Sequence, residues 1–221
     1  MPSGWLIVTL ISIGLIVDQY LAVWGQHIVS IAAWSTLIYW MKQSSPRARL
    51  NLAVCVLYAT LGEIFLSLDW GLYDYRLGNI PLFVPPGHAL LFALGVILAA
   101  RLPDWIIWAV PLAAAPLVIA LAWTGSDTLG PPLFALLLVC MAFSRARKLY
   151  AVMFLLALAM EIYGTVLGNW AWHGTVPWLD LSTLNPPLAA GAFYCVLDLL
   201  VVTTTGLVRR GYRAQPNTAE N

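Results

Sequence analysis

Residues 45–64, SPRARLNLAVCVLYATLGEI, return ninety-eight residues later at 143–162 as FSRARKLYAVMFLLALAMEI. Under that offset Arg47, Ala48, Arg49, Ala53, Val54, Leu57, Ala59, Glu63 and Ile64 fall on Arg145, Ala146, Arg147, Ala151, Val152, Leu155, Ala157, Glu161 and Ile162, nine identities in the 19 positions from 47 to 65. Shared apolar composition does not produce such a match, because two arginines and a glutamate are part of it. Weaker likenesses extend it, with Trp24 near Trp123 and Tyr73-Asp74-Tyr75 near Trp170-Ala171-Trp172. The chain reads as two tandem copies, 1–101 and 102–210, followed by a polar, disordered tail at 211–221.

At 61% hydrophobic and 10% charged residues, with a mean hydropathy of +0.83, the 221 residues hold too few charges to cover a water-facing surface. The apolar runs predict an all-α, polytopic membrane protein of eight spans, at roughly 5–24, 27–41, 50–69, 87–101, 105–123, 128–143, 148–168 and 187–208. Four spans per copy return the chain to its starting side, so the copies form a parallel repeat about an axis along the membrane normal. Ten of the eleven basic residues then fall on one side and only Arg76 on the other. The positive-inside rule makes this a multi-pass protein of the cell membrane with both termini cytoplasmic. A net charge of +1, with no basic patch, argues against a nucleic-acid partner. Cys55, Cys140 and Cys195 lie in apolar runs without metal-type spacing and read as small core residues.

The two long connections, about 70–86 and 169–186, share the outer face. A carboxylate at membrane depth is costly and normally has a partner or a role. Finding one at the same repeat position twice marks Glu63 and Glu161, about seven residues from the outer ends of helices 3 and 7. Pseudo-symmetry would bring those helices together and set the glutamates on facing walls of an outward-opening cavity. One protonated and one ionised carboxyl there would serve as general acid and base; the alternative is a pair of interhelical hydrogen bonds. Asp198, nearer mid-membrane than Asp18, is a third candidate acid, able to assist a glutamate or to pair with Gln19 or Tyr194.

The outer loops supply the expected ligand contacts, Trp70, Tyr73, Tyr75, Arg76, Trp170 and Trp172, as a π-rich wall for an apolar ligand or an aromatic belt at the headgroups. Arg76 is expected to pair with Asp69 or Asp74, or to meet a phosphate headgroup. His27, His88 and His173 occupy the same layer and would form a metal site with the glutamates only if they converged. There is no phosphate loop, nucleophile elbow or multi-histidine cluster, and no cofactor is expected. Small residues at 113–115 and 189–191 allow an oligomer, although packing within the bundle is the expectation.

The duplicated unit, its two intramembrane glutamates, and Gly71-Leu-Tyr-Asp-Tyr and Gly168-Asn-Trp-Ala-Trp ahead of a proline-led helix start resemble the heterodimer-type lycopene cyclases. More loosely they resemble membrane carotenoid hydratases and membrane-bound terpene cyclases. Where the lycopene cyclases carry paired glutamates at that helix start, this chain reads Pro85-Pro86-Gly87-His88 and Asn185-Pro186-Pro187-Leu188. The resemblance implies cyclisation, hydration or isomerisation of an apolar isoprenoid or lipid, with Glu63 and Glu161 as the acid and base. A proton-coupled transporter or lipid-binding protein, and a metal-dependent enzyme using the histidines, are the competing expectations.

Overall fold

A computed structural model describes residues 4–144 and 146–214. Eight helices form: α1 (Gly4–Tyr20), α2 (Ala22–Lys42), α3 (Pro46–Glu63), α4 (Val84–Arg101), α5 (Ile106–Trp123), α6 (Gly130–Phe143), α7 (Arg147–Leu167) and α8 (Gly191–Ala214). The tail expected from residue 211 is corrected at its start, since α8 continues to Ala214; residues 215–221, like Arg145, lie outside the described residues. Local chemistry sets several ends. Ser45, in extended conformation, accepts the Ala48 amide with its side chain, and Pro46 opens α3. Prolines also sit in the first turns of α4 and α6, where no amide proton is needed. Gly168 closes α7 at φ +82, a conformation that only glycine adopts freely.

Five helices are long and apolar enough to cross a membrane: α3 with its extension to Asp69, α4, α5, α7, and α8 over Gly191–Arg210. This corrects the expectation of eight equivalent spans. At 17 and 14 residues, α1 and α6 are apolar but short, and α2, at 21 residues, is diluted by Gln26, His27, Ser30, Ser35 and Thr36. Large apolar side chains nevertheless face outward along the bundle, among them Leu112, Trp123, Phe143 and Val166. Apolar exposure of this kind suits lipid contact.

Helices α3, α4, α7 and α8 form a central ring in which α4 and α8 each pack on both α3 and α7. The expectation that α3 and α7 would be neighbours is thereby corrected to a diagonal placement across the ring. Helices α1 and α2 pack together and flank α4, while α5 and α6 pack together and flank α7 and α8. Ala189, Ala190 and Ala192 are fully buried, and a Cβ on Gly191 would stand 2.5 Å from the Phe154 carbonyl oxygen, so this small-residue stretch serves close contact with α7.

One end of the ring is capped by the two long connections. β1 (Tyr73–Tyr75) and β2 (Trp170–Trp172) pair antiparallel with Tyr73 opposite Trp172 and Tyr75 opposite Trp170. β3 (Thr175–Val176) and β4 (Leu181–Ser182) close a small hairpin beside them. In both β1 and β2 the outer residues point inward and the middle one outward, as the two-residue strand period requires. The chain leaves α3 through a π-helical turn, Ile64–Asp69, sealed by the Trp70 amide on the Phe65 carbonyl.

Candidate active site

Glu63 ends α3 and Glu161 lies six residues before the end of α7; both are buried, at 5% and 6% exposed. The inward residues of the β1–β2 cap reach down to them. Tyr73 and Tyr75 each donate a phenolic hydrogen bond to Glu63 Oε2, at 2.8 and 2.7 Å. The indoles of Trp170 and Trp172 donate to Glu161 Oε2 at 2.8 and 3.0 Å. Each glutamate thus has one oxygen held by two aromatic donors from the strand that follows its own helix. Burial, then the Glu63 carboxylate, pushes the Tyr73 and Tyr75 phenols well above their ordinary value, so both remain protonated donors.

The second oxygens look across to α4 and α8. His88 Nε2 stands 3.5 Å from Glu63 Oε1, and Tyr194 donates to Glu161 Oε1 at 2.9 Å. The His88 and Tyr194 rings stack with centroids 4.9 Å apart and planes within 4°. The chemistry-bearing groups of all four ring helices therefore meet in one layer beneath the cap.

Two clefts reach this layer. The larger encloses about 660 Å³ of empty space, open mouth included, between α1, α2, α4 and α7, with Leu10, Leu15, Val29 and Met160 in its apolar wall. The smaller encloses about 440 Å³ between α3 and α8, with Tyr58, Gly62, Phe193 and Leu197. Glu63, Tyr73, His88, Glu161 and Tyr194 line both. The carboxyl pair is thus a partition between two apolar spaces.

The remaining sequence candidates divide plainly. Tyr75 and Trp170 line the larger cleft and Trp172 the smaller, but Trp70 and Arg76 line neither. Trp70 stacks on Trp178, with centroids 6.3 Å apart, and donates to the Pro177 carbonyl, which makes it part of the cap. Arg76 pairs with Asp18, not with Asp69 or Asp74 as expected, and also donates to the Asp18 carbonyl oxygen at 2.5 Å. Asn169 completes this latch by donating to the other Asp18 carboxyl oxygen at 2.7 Å. Asp198 lines neither cleft; it is fully buried with neither carboxyl oxygen hydrogen-bonded. The pairing with Gln19 or Tyr194 expected as one of its roles does not form. The histidines do not converge either. His27 is exposed next to Trp24, His173 is exposed and paired with Asp74 at 2.9 Å, and only His88 reaches the glutamates. Among the described residues no cluster of three His, Cys, Asp or Glu side chains is arranged to hold a metal ion.

Tyr194 was legible only as a polar neighbour of Asp198; its helix turns it instead toward Glu161. No family model, curated protein or solved structure matches this chain.

Proposed function

We propose that this is an integral membrane enzyme of the cell membrane that carries out acid–base chemistry on an apolar isoprenoid or lipid at the Glu63–Glu161 layer. Cyclisation, hydration or isomerisation of an alkene is the reaction class that suits the site. The observation that carries this proposal is the placement of two buried, aromatic-bridged carboxyls at the junction of two apolar clefts, with no charged group among the described residues of the cleft walls other than these and His88. A protonated carboxyl at this layer would pass its proton to an alkene carbon, whose π pair forms the new C–H bond, leaving a carbocation. The indole and phenol rings of the cap lie beside that cation, and the ionised glutamate would remove a proton from a neighbouring carbon to restore the alkene.

Within this proposal the chain is a tandem duplication with both termini cytoplasmic. The strand register supports the duplication: exchanging the copies turns the Tyr73–Trp172 pair into the Tyr75–Trp170 pair, as a two-fold axis through the cap demands. Ninety-eight residues separate the glutamates but ninety-seven separate Tyr73 from Trp170. The one residue of difference falls in the π-helical turn of the first copy, the form that a single-residue insertion takes inside a helix.

Protein purified from its own host in mild detergent, extracted and analysed by mass spectrometry, tests the ligand class. A co-purifying polyene, isoprenoid or lipid, turned over by the wild type and bound but not turned over by Glu63→Gln or Glu161→Gln, is the expected outcome. A second reading, proton-coupled transport, is favoured by one feature: the glutamates separate two clefts that approach them from different helix pairs. Ligand movement across vesicles that depends on a pH gradient, with the ligand chemically unchanged, would replace the enzymatic reading.

A further inference from the structure

The two glutamates, equivalent in the repeat, are chemically different in their surroundings. Glu161 faces donors alone: two indoles on Oε2 and the Tyr194 hydroxyl on Oε1. Glu63 has two phenols on Oε2, but its Oε1 faces the ring nitrogen of His88. The tautomer of that ring is fixed by its other side. His88 Nδ1 lies 2.9 Å from the carbonyl oxygen of Val84, which has no proton to give, so Nδ1 carries the hydrogen. Neutral His88 therefore presents a bare Nε2 lone pair to Glu63 Oε1. Two acceptors set against each other repel unless one proton lies between them.

We infer that Glu63 and His88 hold a single shared proton and together form the proton donor of the site, while Glu161, whose oxygens meet donors alone, is the carboxylate that receives a proton during turnover. His88 and Glu63 exchange between a neutral imidazole with a carboxylic acid and an imidazolium with a carboxylate. The separation of 3.5 Å leaves room for the pair to close when a ligand excludes water from the larger cleft, into which Glu63, His88 and Gly87 open. Every element packed on His88 contributes to this balance: Glu63 from α3, Glu161 from α7, Tyr194 stacked on the ring from α8, and Tyr73 and Tyr75 from the cap. Of these only Glu63 offers the ring nitrogen an acceptor that is able to carry a proton toward it. The site is accordingly polarised, with the acid on the α3–α4 side and the base on the α7–α8 side.

The catalytic meaning of this assignment rests on the proposed acid–base function, but the proton itself is read without turnover. Infrared difference spectra of the purified protein, stepped across pH, record the C=O stretch of protonated carboxyl groups. Asp198, buried without a partner, and Asp127, whose carboxyl burial raises, would add their own bands, so the series is run in an Asp198→Asn, Asp127→Asn background. The expected result is a buried protonated-carboxyl band that disappears in Glu63→Gln, persists in Glu161→Gln, and shifts both frequency and pH midpoint in His88→Gln. Glu63→Asp, which keeps a carboxyl, retains a band and serves if Glu63→Gln does not fold. A band that survives Glu63→Gln, one lost in Glu161→Gln, or one indifferent to His88→Gln would overturn the shared-proton assignment. Intact infrared behaviour with no turnover of any ligand would instead defeat the enzymatic function and leave the dyad standing.

Discussion

Gly164→Ala is the most revealing single methyl group to add. Gly164 sits one turn beyond Glu161 on α7, and a Cβ there would stand 2.0 Å from Cη2 and 2.2 Å from Cζ2 of Trp170. Carbon atoms in contact keep about 3.5 to 4.0 Å apart, so the indole must retreat by roughly 1.5 Å or α7 must move away from the cap. The ring has no flexible end with which to yield. Its Nε1 donates to Glu161 Oε2 at 2.8 Å, and a retreat of that size takes the bond beyond hydrogen-bonding length. Overpacking costs about 1–3 kcal/mol and a hydrogen bond to a charged group about 1.5–3 kcal/mol, so the variant should lose roughly 2.5–6 kcal/mol of stability. Reversible unfolding in mixed micelles measures this, with Gly206→Ala, whose added Cβ meets nothing within 4 Å, as the helix-propensity control. In a Trp170→Leu background the same methyl should cost much less, giving a coupling energy of about 1–3 kcal/mol. An equal penalty in both backgrounds would refute the clash.

Arg76→Gln should cost about 3 kcal/mol, because it strips the guanidinium from Asp18, a carboxylate 2% exposed, while leaving the Asn169 donor in place; Asp18→Asn in the same chain should recover most of that loss in an unfolding titration. Asp198→Val should raise the unfolding free energy by about 1–3 kcal/mol and leave cleft chemistry unchanged, since it removes two unpartnered buried oxygens, and a drop in turnover without a loss of fold would return Asp198 to the site. Burial raises the Asp127 carboxyl above its ordinary value, against the pull of the Leu188 and Gly130 amides that donate to it. The folded state then keeps that proton to higher pH than the unfolded chain, so this contribution to stability is complete below the ordinary carboxylate range and is lost as pH rises through the folded value. Asp127→Asn should therefore show a shallower fall of stability with rising pH than the wild type, and parallel pH profiles would contradict the sign.

The parts of this molecule that the sequence discloses are those carried by one helix at a time. Periodicity and charge place all eight helices, and the double occurrence of RAR with a glutamate sixteen residues after its first arginine singles out Glu63 and Glu161. The aromatic triplets 73–75 and 170–172 stand out for the same reason, being local and repeated. What stays hidden is made by pairs of elements distant in the chain. Arg76 has Asp69 and Asp74 beside it in sequence, yet the cap turns it toward α1, where the carbonyl oxygens of Asp18 and Ala22 and the carboxylate of Asp18 converge. His88 and Tyr194 carry no shared residue type, so no sequence pattern connects them; only the placement of α4 and α8 between α3 and α7 sets one against each glutamate and stacks the two rings. That difference, an imidazole facing Glu63 and a phenol facing Glu161, is also what the proposed division of labour between the carboxyls rests on. A phenol facing both would leave both glutamates met by donors alone, whereas the imidazole lone pair beside Glu63 makes the single position at which the proposed shared proton is required.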